Sequence, residues 1–252
     1  MTVGTVSSGL RARDAAYRYE AAGPRLGPFT FEGGPGEVWA VVGSNGAGKS
    51  TLFRLLAGEL QPAQGSVEAG GRVELVPQGV AIPGRLTVAQ TFDYLALLRG
   101  VPRSERSANV VRALELVDLT SQANTSVRKL SGGQHRRAVI GQALVSLPDA
   151  LLMDEPSAGL DLDQRAVLRE TIRAVGRERL VMVSSHIVED LAGVADHVLH
   201  LVAGSLVFAG TSADYLADAP GGAINTDAAG SSVEHWTTAY HRWNAESGKV
   251  RT

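Results

Sequence analysis

The segment Gly43 to Ser50 reads GSNGAGKS and fits the pattern G-x-x-x-x-G-K-[ST]. Such a loop works only between a strand and a helix. Its glycines let backbone N–H groups curl around phosphate oxygens, and the helix that follows aims its positive end at them. Both neighbours are present. Val38, Trp39, Ala40, Val41 and Val42 form an unbroken apolar run, as a strand covered on both faces would, and Ser50 to Ala57 reads as a helix. The expected phosphate-binding residues are Gly43, Ser44, Asn45, Gly46, Ala47, Gly48, Lys49, Ser50 and Thr51. Lys49 places a point charge at the β and γ phosphates, and the Ser50 hydroxyl is an Mg²⁺ ligand. Every basic residue other than Lys49, Lys129 and Lys249 is arginine, so a lysine at this position carries extra weight.

Composition excludes several other classes. At 252 residues the chain can bury a real core, as one large α/β domain or two small ones. A net charge of −2 with dispersed arginines argues against a surface that tracks nucleic acid, so no nucleic-acid partner is expected. Absence of cysteine removes disulfides, thiolate metal sites and cysteine nucleophiles. No stretch approaches the ~18 consecutive apolar residues of a membrane span, and the first residues lack a signal-peptide core. Service to a membrane would therefore be peripheral, from the cytoplasmic face, through a spanning partner.

Along the chain, residues from Leu10 to about Glu37 read as short strands, and Ser66 to Val76 reads as a hairpin turned at Gly70 and Gly71. Thr87 with Gln90 makes a capping box ahead of Val88, Phe92 and Leu95. Ser104 starts a further helix with Val111, Leu114 and Val117 on one face. Residues of about 85–147 are thus expected to be a helical subdomain inserted into an α/β core. Strands Ala150 to Met153 and Leu180 to Ser184 flank a helix near Gln164 to Val175, and Val198 to Phe208 forms a last hairpin about Ala203 and Gly204. From Gly221 the sequence reads as a linker and a short terminal helix carrying His235, Trp236, Tyr240 and Trp243.

The strand at Ala150 ends in Asp154 and Glu155. Beside a phosphate loop, the first carboxylate orders the Mg²⁺ shell and the second accepts a proton from, or orients, the attacking water. Between these segments stands Leu130, Ser131, Gly132, Gly133, Gln134. Read locally, Ser131 and Gln134 are an S-x-x-Q capping box at a helix start, which is also an anion site.

LSGGQ in this order closely resembles the signature of ATP-binding cassette proteins, and the resemblance covers residues of about 10–216, leaving 217–252 as an appendage. It implies a P-loop NTPase three-layer α/β core with a mainly β N-terminal subdomain and an inserted helical subdomain. It also implies that Ser131, Gly132, Gly133 and Gln134 contact the γ phosphate held by a second ATPase subunit, a homo- or heterodimer partner. Tyr19 matches the aromatic that stacks on adenine, with Tyr17 as a rival. Gln78 matches the glutamine that reaches Mg²⁺ and water, Asp161 within Ser157–Asp161 the loop that crosses the dimer interface, and His186 the switch histidine at the γ phosphate. Catalysis would rest on Glu155, His186 and Gln78, and metal binding on Ser50, Gln78 and Asp154. Departures are Ser44, Ser157, His135, Gly141 and Gln142, none of which removes a catalytic group.

The implied activity is Mg²⁺-dependent ATP hydrolysis powering a membrane permease on another polypeptide. Leu86 to Val88, Leu98 to Gly100 and Ser184 to Asp190 resemble exporter-type motor subunits for drugs, peptides or polysaccharides. The alternative is a soluble single-cassette ATPase such as that of iron–sulfur assembly.

Overall fold

The computed structural model describes residues 8–20, 23–79, 82, 84–222, 224 and 233–249. Its centre is a six-stranded sheet in the order β5 (Val73–Val76), β6 (Ala150–Asp154), β7 (Leu180–Ser185), β3 (Val38–Val42), β8 (His197–Val202), β9 (Ser205–Thr211). The first five are parallel and β9 closes the edge antiparallel to β8. Every residue of β3, β6 and β7 is buried, which explains why their sequences are unbroken apolar runs without alternation.

Period-two geometry divides β3 between two cores. Trp39 and Val41 face α1 (Lys49–Leu56), where Leu52, Phe53, Leu55 and Leu56 also meet Leu10, Phe29 and Phe31 of the N-terminal strands. Val38, Ala40 and Val42 face the opposite layer, which holds α5 (Leu162–Gly176) and the helices α2 (Val88–Leu98), α3 (Arg103–Leu116) and α4 (Gly132–Leu144). The N-terminal strands β1 (Leu10–Tyr17) and β2 (Leu26–Gly33) form, with β4 (Gln64–Ala69), a separate antiparallel sheet in the order β2, β1, β4. This is the expected three-layer α/β fold with a β-rich N-terminal part and a helical segment between β5 and β6.

Three local expectations are corrected. Ser66 to Val76 is not a hairpin: β4 pairs with β1, whereas β5 pairs in parallel with β6, so the glycine turn carries the chain from one sheet to the other. Gly71 passes so close to Asp149 that a Cβ there would lie 2.1 Å from its Oδ2, and Asp149 accepts the Arg72 N–H at 2.7 Å. Val111 is half exposed, because α3 buries Asn109, Val110, Ala113 and Leu114 instead. The terminal helix α7 (Val233–Lys249) is not short. Trp236 is fully buried, and Tyr240 and Trp243 pack with it against Tyr215, His200 and Phe208. Most of the expected linker, residues 223 and 225–232, lies outside the described residues.

Both expected capping boxes form, Thr87 with Gln90 on α2 and Ser131 with Gln134 on α4. Gly141 is explained by packing: a Cβ there would come 2.4 Å from Cζ of Phe92.

Candidate active site

The strands β5, β6, β7 and β3 are consecutive neighbours, so their carboxyl ends lie side by side, where open α/β sheets bind ligands. Residues far apart in sequence meet there. From β3 comes the Gly43 to Gly48 loop, from β6 Glu155, from β7 His186, and from the segment after β5 Gln78. Asn45, Gly46, Ala47, Gly48, Lys49, Ser50, Thr51, Gln78, Glu155 and His186 line an open cleft of about 380 Å³.

Two glycines of the loop are dictated by space. At Gly43 a Cβ would lie 2.4 Å from the Leu201 carbonyl oxygen, and at Gly48, where φ is 104°, one would lie 2.1 Å from Leu26 Cδ1. Lys49 opens α1 with its side chain buried. Its ammonium donates to the carbonyls of Gly43 (2.8 Å) and Ser44 (3.2 Å) and pairs with Glu155 Oε1 at 3.1 Å. The other Glu155 oxygen lies 2.6 Å from His186 Nδ1. Lys49, Glu155 and His186 thus form one chain of contacts across the cleft.

Glu155 is held from behind by its backbone. It sits at a φ of 49°, a left-handed conformation unusual for a residue with a side chain. Its N–H donates to Ser184 Oγ (2.8 Å), whose hydroxyl donates to Asp154 Oδ1 (2.5 Å). Register explains the contact, since Asp154 and Ser184 face each other across β6 and β7. On the other side, the Arg136 guanidinium donates from Nε to the Pro156 carbonyl (2.8 Å) and from Nη2 to the Glu155 carbonyl (2.9 Å). Burial draws the Arg136 pKa below its ordinary value, and nearby Asp154 opposes that shift. Sequence reasoning missed both of these contacts. The buried polar pair Ser184 and Ser185 at the end of β7 was a usable signal for Ser184; Arg136 offered none beyond a charge after the signature.

The donor set suits Mg²⁺ accompanying phosphates. Ser50 and Gln78 are exposed and line the cleft, whereas Asp154, at the end of β6, is buried outside the lining with Oδ1 bonded to Ser184; all three offer hard oxygens. Among the described residues there is no group of three or more His, Cys, Asp or Glu that could hold a metal ion.

Tyr19 is 63% exposed, and its hydroxyl lies 2.7 Å from Thr51 Oγ1, which holds its ring at the edge of the phosphate loop. Tyr17 is half-buried, packs into the smaller core and meets Tyr19 edge-on at 5.0 Å. The structure does not bring the signature into the cleft. Ser131, Gly133 and Gln134 line a separate depression against Leu160 and Gln164 of the α5 region, and Asp161 caps α5 by accepting the Gln164 N–H at 2.9 Å.

With a cation at the phosphate loop and a carboxylate paired to a histidine across from it, the cleft can carry out phosphoryl transfer from a nucleotide to water. The ABC transporter family profile matches residues 26–158. The chain is 36% identical over 213 residues to the ABC transporter ATP-binding/permease protein Rv1747 of Mycobacterium tuberculosis, covering 78% of this chain but only 24% of that protein. It is 34% identical over 234 residues to the energy-coupling factor transporter ATP-binding protein EcfA2 of Streptococcus sanguinis, covering 83% and 84% respectively. Identity to the molybdenum import ATP-binding protein ModC of Mycobacterium tuberculosis is 35% over 209 residues, covering 74% and 57%. In structure the chain is similar to a metal-chelate type ABC transporter in an inward-facing conformation, with a TM-score of 0.73 and 27% identity over 82% of this chain and 85% of that one. Sequence and fold agree that the chain belongs to the ABC transporter family, as one of its ATP-binding domains.

Proposed function

We propose that this chain is the ATP-hydrolysing motor of a transporter whose membrane-spanning parts are on separate polypeptides. Residues 10–216 form the cassette and 217–252 an appended segment. The observation that carries the reading is the junction of Lys49, Glu155 and His186 in one cleft, with Ser131 to Gln134 outside it. A signature that cannot serve its own cleft is free to complete the cleft of a second subunit.

In this reading the Gly43 to Thr51 backbone and Lys49 bind the phosphates, Tyr19 stacks on adenine, and Ser50, Gln78 and Asp154 would hold Mg²⁺, which would neutralise phosphate charge. Glu155 accepts the proton of the water that attacks the γ phosphorus as the bond to the β-phosphate oxygen breaks, and ADP leaves. Gln78 and His186 orient that water and the γ phosphate, while Asp161 faces the partner cassette. Phosphate entering the loop takes Lys49 from Glu155, releasing the carboxylate for water.

Among the described residues no helix is long and apolar enough to cross a membrane. A peripheral place on the cytoplasmic face, docked to a permease, follows as part of the proposal. Support comes from the helical segment, where Tyr94, Leu97 and Leu98 of α2 and Val111 of α3 expose apolar surface. Export is the direction favoured by the likeness of Leu86 to Val88, Leu98 to Gly100 and Ser184 to Asp190. ModC, named for import, is a relative at 35% identity, so direction rests on those segments alone. The test is purification of the tagged chain from detergent-solubilised membranes: a co-purifying polypeptide with several spans supports the motor role. Recovery of an active ATPase only from the soluble fraction, without such a partner, would favour the soluble-cassette alternative.

A further inference from the structure

Arg136 lies on α4, the helix that Ser131 caps, yet its guanidinium reaches across to the backbone on the far side of Glu155. The planar fork grips two successive carbonyls, those of Glu155 and Pro156, at 2.9 and 2.8 Å. Pro156 has no N–H to anchor, and Glu155 is at a φ of 49°, so beyond the turn's own bond from the Ala158 N–H to the Glu155 carbonyl (3.2 Å) its hold comes from outside groups. Ser184 secures the N–H of Glu155 and Arg136 the carbonyl side, which fixes the direction in which the Glu155 side chain leaves the backbone towards Lys49 and His186 in the cleft. The guanidinium is partly buried, and its partners here are backbone carbonyls.

We propose that Arg136 is a positioning residue for ATP hydrolysis, fixing the left-handed turn that aims Glu155 at the attacking water. Because α4 also carries Ser131, one rigid helix links a subunit's own base to the signature that it offers to its partner. The inference rests on the proposed role of Glu155 as base.

The test compares Arg136→Met, which keeps an apolar stem but has no donor, with Arg136→Lys, which restores a donor. A misplacement of ~1 Å at a reacting group can cost about a hundredfold in rate. Arg136→Met should lower kcat by about ten- to a hundredfold with KM for MgATP within about twofold, and Arg136→Lys should recover part of the loss. In a Glu155→Gln background, Arg136→Met should change the residual rate by less than about twofold, because the group that it positions is already gone. Additive loss in that background, or a kcat near wild type, overturns the proposal. Should Arg136→Met fail to fold, Arg136→Lys carries the same comparison. An inactive wild-type chain would sink the hydrolytic reading itself, whereas an active wild type beside an equally active Arg136→Met sinks only the positioning role.

Discussion

The 3.1 Å pair between Lys49 and Glu155 should be measurable as coupled stability. Both side chains are more than nine-tenths shielded. Deleting one member of a buried pair leaves the other charge without compensation, at a cost of about 3–5 kcal/mol. Each survivor here keeps other partners, which reduces the loss. Glu155 retains His186 at 2.6 Å, and Lys49 retains the carbonyls of Gly43 and Ser44. Lys49→Met is therefore expected to cost about 3 kcal/mol and Glu155→Gln about 2 kcal/mol. The double variant should fall short of their sum by at least ~1 kcal/mol. Urea unfolding of the four proteins without nucleotide measures the cycle; losses that add within about 0.5 kcal/mol would refute the pair. The same contact competes with phosphate for Lys49. Glu155→Gln should accordingly bind ATP about tenfold more tightly than wild type by calorimetry, equivalent to ~1.4 kcal/mol, and unchanged or weaker binding would count against the competition.

Tyr19→Ala should weaken ATP binding about tenfold while Tyr19→Trp and Tyr17→Ala leave it within about twofold, as read by fluorescent-nucleotide titration; the opposite pattern would make Tyr17 the stacking ring. Ser131→Arg should leave ATP binding by monomers intact but stop ATP-driven pairing, followed by light scattering. His200, fully buried under α7, has its pKa drawn down to about 4 by burial. The folded chain thus favours neutral His200, and its stabilising contribution is complete above pH ~6.5 and lost as pH falls towards about 4. Between pH 7 and 5 unfolding free energy should drop by about 2 kcal/mol from this group, and His200→Gln should remove that part of the pH dependence in urea titrations.

What could be read from sequence was what is encoded contiguously. The phosphate loop, with its strand and helix, the capping boxes at Thr87 and Ser131, and the Asp154-Glu155 strand end are each specified within one short contiguous stretch. Pairing across sequence distance was not legible. Gly70 and Gly71 demand a turn whether β4 and β5 pair with each other or part for different sheets, and only β1 and β6 decide between these. The aromatic residues of α7, Trp236, Tyr240 and Trp243, recur at helical spacing, but the ledge that buries them is built from Tyr215, His200 and Phe208 on other elements. Ser184 and Arg136 escaped for the same reason: their roles are hydrogen bonds to one backbone turn reached from β7 and α4.

The most direct test of hydrolysis in the cleft is phosphate release from MgATP by wild type and Glu155→Gln, with the paired fraction followed by size exclusion. General-base catalysis is worth about 10²–10⁴-fold. The variant should therefore bind ATP, accumulate as the paired species and release phosphate at least ~100-fold more slowly, while wild type pairs only transiently. Release by Glu155→Gln at the wild-type rate would show that Glu155 is not the base, and a variant that binds ATP without pairing would contradict the coupling of closure to ATP.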